Sequence, residues 1–390
     1  MSRFFRHPWA IVAVIGAISI FFALQLPKAV LDNDIVNFIP KDSPEVKAYD
    51  AQEAIYGSPV IMLMAIKNPR GTVFEKEFLL KVKDLTARIE ALSQTESVSS
   101  LTNTDYIRGD GDSVIVAPLV GDDFTGTPEE IRIVKEGIQS WDLYQGSLVS
   151  KDYRSTQLLI TIKSSLHAEQ DLRKSPSVDN KQVAYKEIMN ILQEIDMGNL
   201  QVYVAGFPVM AVLLSQNMVK DLIFLIPLVV LVIILSLYLS FGRAGGILLP
   251  LTTVLISVVW TIGLMALLGV KLTLLATVTP VILVAVGSAY GIHYISHYYD
   301  EALTQQRTLE KDEYQELVMG VLRKIRMPVL LAGLTTMAGF GSLSFISIIP
   351  VRNFGIFSTF GVFAALIVSL TFLPALLLIR GPHTITGLEK

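Results

Sequence analysis

Residues 222–241 read LIFLIPLVVLVIILSLYLSF, twenty positions without one charge. A helix needs about 20 apolar residues to cross a hydrocarbon core of about 30 Å. Backbone groups in lipid must be satisfied within the segment, so this run predicts a membrane-spanning helix. The same pattern repeats downstream. No acidic residue occurs between Asp221 and Asp300, and none from Met327 to Thr386. Those stretches hold further runs at 247–270, 272–298, 327–349 and 354–379, and a sixth run occupies 9–26. The segment 28–220 separates the first run from the other five and has the polar character of a water-soluble fold.

The 390 residues are 52% hydrophobic and 17% charged, against about 25% charged in ordinary soluble domains. Mean hydropathy is +0.52. The net charge of −3 hides an asymmetry: 28–218 carries 27 acidic and 19 basic residues, the remainder 8 and 13. There is no cysteine, which excludes disulfides and thiolate metal sites. The fold class read from this pattern is an α-helical membrane protein of six transmembrane helices, arranged 1+5. An α+β domain of ferredoxin-like type lies outside the membrane. The domains are 1–27 (first helix), 28–220 (outer domain), 221–380 (five-helix bundle with a loop at 300–326) and 381–390 (tail).

Lys and Arg near the span ends set orientation. With the N-terminus in the cytoplasm, Arg3, Arg6, Arg243, Arg307, Lys311, Arg323, Lys324, Arg326 and Arg380 all lie inside. The outer links then hold Lys271 and Arg352. Both termini are expected in the cytoplasm, the large domain outside, and the protein in the cell (inner) membrane. The first run has no small-x-small cleavage pattern before Pro27, so it reads as an anchor and not a removed signal.

Strand and helix signals alternate in the outer segment. Strands are expected at 59–67, 98–101, 114–117, 156–163 and 202–207, and helices at 74–92, 127–140 and 181–195. Thr127-Pro128-Glu129-Glu130 reads as a helix start: cap, proline at the first position, acids in the first turn. Residues 103–112 read as polar turn, including Asp110-Gly-Asp112, which lacks the rest of a calcium loop. The order β-α-β, β-α-β suits a split βαβ sandwich. His167 is the domain's only histidine and reads as a solvated loop side chain. No nucleophile, base and oxyanion donor stand together, so no enzyme is expected. No phosphate-cradling glycine loop with lysine is present, and neither metal, cofactor nor nucleic acid is called for.

The fourth run ends Ala285-Val-Gly-Ser-Ala-Tyr-Gly-Ile-His-Tyr-Ile-Ser-His-Tyr-Tyr-Asp300. Polar groups deep in a span are costly unless they face a bundle interior or water. Val286, Tyr290, His293 and His297 fall on one helical stripe. A histidine near its ordinary pKa of about 6.5 can exchange a proton at physiological pH. His293 has two readings: a proton relay, or a neutral imidazole bonded to a neighbouring helix. His297, nearer the interface, reads as solvated. In the fifth run Thr335 and Thr336 lie at a depth like that of Ser288 and read as packing residues or as part of a proton path. The proton-relay set is therefore His293, Ser288, Tyr290, Thr335 and Thr336. Tyr314, Leu317, Val318, Val321, Leu322 and Ile325 make an amphipathic tail to the 300–326 loop, expected along the membrane surface.

Several pieces together resemble one half of a resistance-nodulation-division superfamily transporter, of the hydrophobe/amphiphile efflux and MMPL-like branch. They are Asp34-Ile-Val-Asn-Phe-Ile-Pro-Lys-Asp-Ser-Pro44, Ala205-Gly-Phe-Pro208, Leu249-Pro250, Gly263-Leu-Met-Ala-Leu-Leu-Gly269, Tyr290-Gly-Ile-His293, Thr335-Thr-Met-Ala-Gly-Phe-Gly-Ser-Leu343 and Pro350-Val-Arg-Asn-Phe-Gly355. The resemblance implies proton-driven export of hydrophobic or lipid-like molecules. It also implies a porter domain that takes substrate from the outer leaflet or periplasm. Many relatives carry Asp immediately before Tyr-Gly-Ile-His; here that position is Ala289. Either the His293 set replaces the carboxylate, or the carrier sits in another half. Relatives usually have two halves, so a second six-span half or homo-oligomer is the implied partner. The alternative is a non-transporting, lipid-binding module like a sterol-sensing domain, or a regulatory half.

Overall fold

The computed structural model describes residues 4–32, 38–40, 42–58, 60–110, 113–163, 180–241, 244–305 and 309–381. His167, Arg243, Arg307 and the Gly111-Asp112 pair lie outside them, as do residues 34–37 and 41 of the acidic stretch that begins at Asp34. The chain divides into two compact units, Met1–Lys41 with Leu214–Lys390, and Asp42–Leu213.

The unit Asp42–Leu213 opens with α2 (Pro44–Tyr56), after the α1 helix of the other unit (Pro8–Ala23). Then come β1 (Ile61–Lys67), α3 (Lys76–Glu90) and β2 (Thr95–Ser99). A hairpin of β3 (Asp105–Asp110) and β4 (Ser113–Pro118) and helix α4 (Pro128–Ser140) follow. The unit continues with β5 (Ser155–Ile162), α5 (Asn180–Glu194) and β6 (Gln201–Ala205). Two βαβ units interleave into one antiparallel sheet of order β2-β5-β1-β6, with β1 paired to both β5 and β6.

Strand periodicity decides which side is buried. Met62, Met64 and Ile66 alternate along β1 and are wholly buried, as are Leu158, Ile160 and Ile162 along β5, with Met62 facing Ile160 and Met64 facing Leu158. Phe78, Leu79, Val82, Leu85 and Ile89 of α3 recur at three- and four-residue spacing and join them in one core, with Ala184 and Ile188 of α5. Each such side chain contributes about 1.5–3 kcal/mol by leaving water.

Two features differ from the sequence reading. The stretch read as polar turn is strand β3, because six cross-strand pairs from Asp105↔Pro118 to Asp110↔Ser113 supply a ladder that Arg-Gly-Asp propensity does not foretell. Helix α2 went unread. Its signal was the Ser43-Pro44 pair: the Ser43 hydroxyl accepts from the Val46 N–H at 3.3 Å, and Gly57 ends the helix at φ +85°.

Helix α4 begins as its sequence says. The Thr127 hydroxyl accepts from Glu130 N–H at 3.3 Å, and the Glu130 carboxylate accepts from Thr127 N–H at 2.8 Å. That backbone bond holds the Glu130 carboxyl below the ordinary carboxylate range, as the Arg132 hydrogen bond does for Glu129. A depressed acid adds stability that is present above its unfolded pKa of about 4.3 and lost as pH falls through its folded value. Helix α4 is therefore expected to lose hydrogen-exchange protection on acidification through that window. Thr127→Ala should weaken the helix at neutral pH, and Glu130→Gln, which removes the titrating carboxyl that the Thr127 N–H holds down, should flatten the acid-side decline; an unaltered pH profile in Glu130→Gln would refute the carboxylate's role in the cap.

The other unit contains α1, α6 (Phe207–Phe241, which crosses the boundary between the units), α7 (Ala244–Leu267), α8 (Val278–Gln305), α9 (Lys311–Ser342) and α10 (Ile349–Arg380). Among the described residues five helices are long and apolar enough to cross a membrane: Pro8–Lys28, Phe207–Leu239, Gly246–Leu267, Leu274–Thr304 and Ile349–Arg380. Helix α9, the remaining expected span, is diluted by Arg323, Lys324 and Arg326 on one side and by Gly333, Thr335, Thr336, Gly339 and Gly341 on the other.

Helix α10 is the hub of this unit and packs against α1, α7, α8 and α9. Glycines permit the closest approaches. A Cβ on Gly263 of α7 would lie 2.5 Å from the Phe22 carbonyl oxygen of α1. Beside it, Trp260 Nε1–H donates to Ser19 Oγ at 2.9 Å. At one end, Lys271 pairs with Asp32 at 2.8 Å and Leu31 bridges Leu272. At the other, Tyr294 donates to the Val318 carbonyl and Tyr314 to the Leu377 carbonyl, both at 3.0 Å, and Tyr298 meets Tyr314 at 3.3 Å.

Those tyrosines correct the expectation for the amphipathic tail. Tyr314, Val318, Val321, Leu322 and Ile325 are buried within the protein, on a turn-by-turn continuation of α9. Their apolar stripe is covered by α8 and α10, which supply the partners that lipid was expected to supply.

Candidate functional site

The five proton-relay residues lie on α8 and α9, where helix periodicity decides what each one faces. On α8, Ser288 and Tyr290 turn inward and are buried, while Ala285, His293 and His297 are exposed and Ala289 is half-buried. Positions 285, 289, 293 and 297 follow one another at four-residue spacing, so they form a stripe on the bare side of the helix. The stripe anticipated from Val286 to His297 thus straddles a boundary: Tyr290 belongs to the core and the two histidines to the open face.

Helix α9 has the same division. Val329 and Gly333 are buried, whereas Leu331, Ala332, Leu334, Thr335, Ala338 and Gly339 are exposed. The hydroxyls of Thr335 and Thr336 both donate to the Ala332 carbonyl, at 2.9 and 2.8 Å. Ser288 Oγ donates to the Ala285 carbonyl at 3.0 Å. These three hydroxyls spend their protons on their own helices, the packing role read beside the functional one.

Tyr290 is different. Its hydroxyl is buried and makes no hydrogen bond to protein. It lies beside Gly333 of α9, where a Cβ would be 3.6 Å away. The structure therefore sets the Tyr290 hydroxyl against α9 at Gly333. It leaves His293 and Thr335 exposed and turns Ser288 inward.

The bundle holds polar side chains that sequence reasoning passed over. Thr253, Ser257 and Thr261 of α7 are wholly buried, and so are Thr279 of α8 and Ser358 and Ser369 of α10. The i, i+4, i+8 spacing on α7 was the available signal. Among the described residues no three of His, Cys, Asp and Glu gather as a metal site.

A bundle of long apolar helices, with buried hydroxyls on α8 and a separate α+β unit, has a counterpart among known families. Residues 81–387 match the MMPL family. This chain belongs to the MMPL family. The match runs from α3 through all the helices that follow it. A protein of Methanocaldococcus jannaschii, whose name describes it only as a membrane protein, is 22% identical over 393 residues. The alignment covers 99% of this chain and 94% of that one. Membership makes this chain a membrane protein of transporter-related kind, of the resistance-nodulation-division type that its motifs resemble. The MMPL chain described here keeps an alanine, Ala289, in the stripe that bears His293.

Proposed function

We propose that this MMPL-family chain is one half of a secondary transporter that exports hydrophobic or lipid-like molecules at the expense of the proton gradient. The observation that carries the reading is His293. It stands on the bare stripe of α8, four residues from Ala289, in a bundle with no acidic residue between Asp221 and Asp300 or from Met327 to Thr386. An imidazole there can take and release a proton where relatives use an acid. The exposed faces of α8 and α9 are where a second half, or a second copy of this chain, closes over it.

The bundle has six spans in this reading, with α9 the sixth, antiparallel to α8 and sealed by the tyrosine contacts at their shared end. Arg6, Arg323, Lys324, Arg326 and Arg380 mark the cytoplasmic side; Lys271 and Arg352 mark the other. The unit Asp42–Leu213 is then extracytoplasmic. Its strand order is that of a ferredoxin-like sandwich, and it serves as the porter that receives substrate. The protein is not an enzyme in this reading and works through rearrangement of helices, with no cofactor.

The test is export of a fluorescent acyl lipid from proteoliposomes under an imposed pH gradient. Flux should collapse on adding a protonophore, and His293→Ala should abolish it while leaving thermal unfolding unchanged. Full flux in His293→Ala would remove the imidazole from the mechanism. Saturable lipid binding without flux would instead support a sterol-sensing-like module, a reading favoured by the three hydroxyls bonded back to their own helices.

A further inference from the structure

The unit Asp42–Leu213 is joined to the bundle unit at two points of the chain, after Lys41 and after Leu213. One connector continues from the end of α1. The other is α6, which runs unbroken across the boundary. Within the bundle unit both connectors are held in one place.

That place begins at the end of α7. Gly269 takes φ +67°, its N–H donates to the Ala266 carbonyl, and the Val270 N–H reaches back to the Met265 carbonyl at 2.9 Å. This left-handed stop ends the helix and brings Val270 into one apolar cluster with Met265. Residues 270–273 then form the link to the short turn Leu274–Thr277 and α8.

The α1 connector lies along that link. The Leu272 N–H donates to the Val30 carbonyl at 2.7 Å, and the Asp32 N–H donates to the Leu272 carbonyl at 2.9 Å. Leu31 and Leu272 are thereby paired as strands are, although neither belongs to a sheet. Beside them Lys271 Nζ meets Asp32 Oδ2 at 2.8 Å, with the Asp32 side chain only 12% exposed. An exposed ion pair contributes little alone, but this one closes over two backbone hydrogen bonds and an apolar floor. Ala29 and Leu31 rest on Leu272, Met265 of α7, Phe357 of α10 and Met218 of α6. Met218 is wholly buried on a helix that is otherwise largely bare, and it stands four residues past Leu214, where the bundle unit resumes. A close-packed cluster passes a displacement on and does not absorb it.

We propose that this clasp, residues 29–32 on 270–272 with Met218 seated beside them, is the coupling element of the chain. It makes both connectors move with α7, α10 and the α7–α8 link as one body. A rearrangement among the bundle helices then reaches both attachments of the unit Asp42–Leu213 at once, and the clasp stays shut while it does so. As a mechanical element it is independent of cargo; as a step in export it rests on the transporter reading above.

The mechanical part is tested by pulsed electron paramagnetic resonance on the full chain in lipid nanodiscs. Spin labels go on cysteines introduced at Val30 and Val219, both exposed, one on each connector. The unaltered clasp should give one narrow distance peak. Leu31→Asp, which puts a charge on the apolar floor, should widen it at least twofold, and Leu31→Met should leave it narrow. A broad distribution with Leu31 in place, or an unchanged peak in Leu31→Asp, would overturn the clasp.

The export part uses the proteoliposome assay. Paired strand positions stand about 4.8 Å apart, within disulfide reach, so Leu31→Cys with Leu272→Cys can be locked by oxidation. The locked chain should export within twofold of the reduced one, and Leu31→Asp should export at least tenfold more slowly. Should Leu31→Asp unfold early, Lys271→Asp takes its place, and adding Asp32→Lys to it should restore export. Arrest by the disulfide would mean that the clasp must open, and full export from both Leu31→Asp and Lys271→Asp would mean that it couples nothing; either result overturns the proposal. No export from the unaltered chain would remove the transporter reading and the export step with it, while the spin labels still decide the clasp.

Discussion

Gly263→Val should loosen α1 from α7 and destabilise the bundle by about 2–3 kcal/mol. The reason is that the obstruction is backbone. A Cβ on Gly263 would sit 2.5 Å from the Phe22 carbonyl oxygen and 3.0 Å from its carbon, and neither can rotate away. The helices would have to part, which would also stretch the 2.9 Å bond from Trp260 Nε1 to Ser19 Oγ. Trp260 fluorescence, with Trp9 and Trp141 replaced by Phe, reports this directly. A red-shifted emission and an earlier thermal transition are expected, with Gly263→Ala shifted in the same sense by less. A native spectrum and midpoint in Gly263→Val would contradict the close crossing.

The second large effect is expected at the junction of β6 and α6. Gly206 holds φ +121°, a backbone state that side-chain-bearing residues rarely adopt, and its Cβ position is 2.7 Å from the Ile61 carbonyl oxygen. Gly206→Ala meets both penalties, backbone strain and a backbone clash, and should cost about 3 kcal/mol. The cost falls on the pairing of β1 with β6, where Leu63 faces Ala205. Hydrogen exchange should therefore show lost protection in Ile61–Lys67 and Gln201–Ala205, with α10 unaffected. Protection retained in β1 would mean the turn can be rebuilt without strain.

Much of this architecture was legible before any coordinates. The apolar runs give away their helices because lipid tolerates nothing else, and β1 and β5 give away their strands by alternation. Thr127 and Glu130 announce the start of α4. What could not be read is what each helix face meets. His293 and Tyr290 are three residues apart and looked like one stripe, yet one is exposed and the other buried. That boundary depends on where α9 and α10 lie, which no local pattern encodes. The tail from Tyr314 to Ile325 has the periodicity of a membrane-surface helix, and only its neighbours reveal that protein covers it. Strand β3 likewise owes its form to its partner.

The central claim is a chain that crosses the membrane six times with one folded unit outside. The absence of cysteine makes the decisive measurement clean. Single cysteines would be introduced at Ser140 in α4, Thr304 at the end of α8 and Ser347 between α9 and α10, then probed in intact cells with a membrane-impermeant maleimide. The account predicts labelling at positions 140 and 347, and at 304 only after the membrane is breached. Labelling of 304 and 347 from the same side would mean that α9 does not span. Protection of position 140 in intact cells would put the folded unit in the cytoplasm and end the exporter reading.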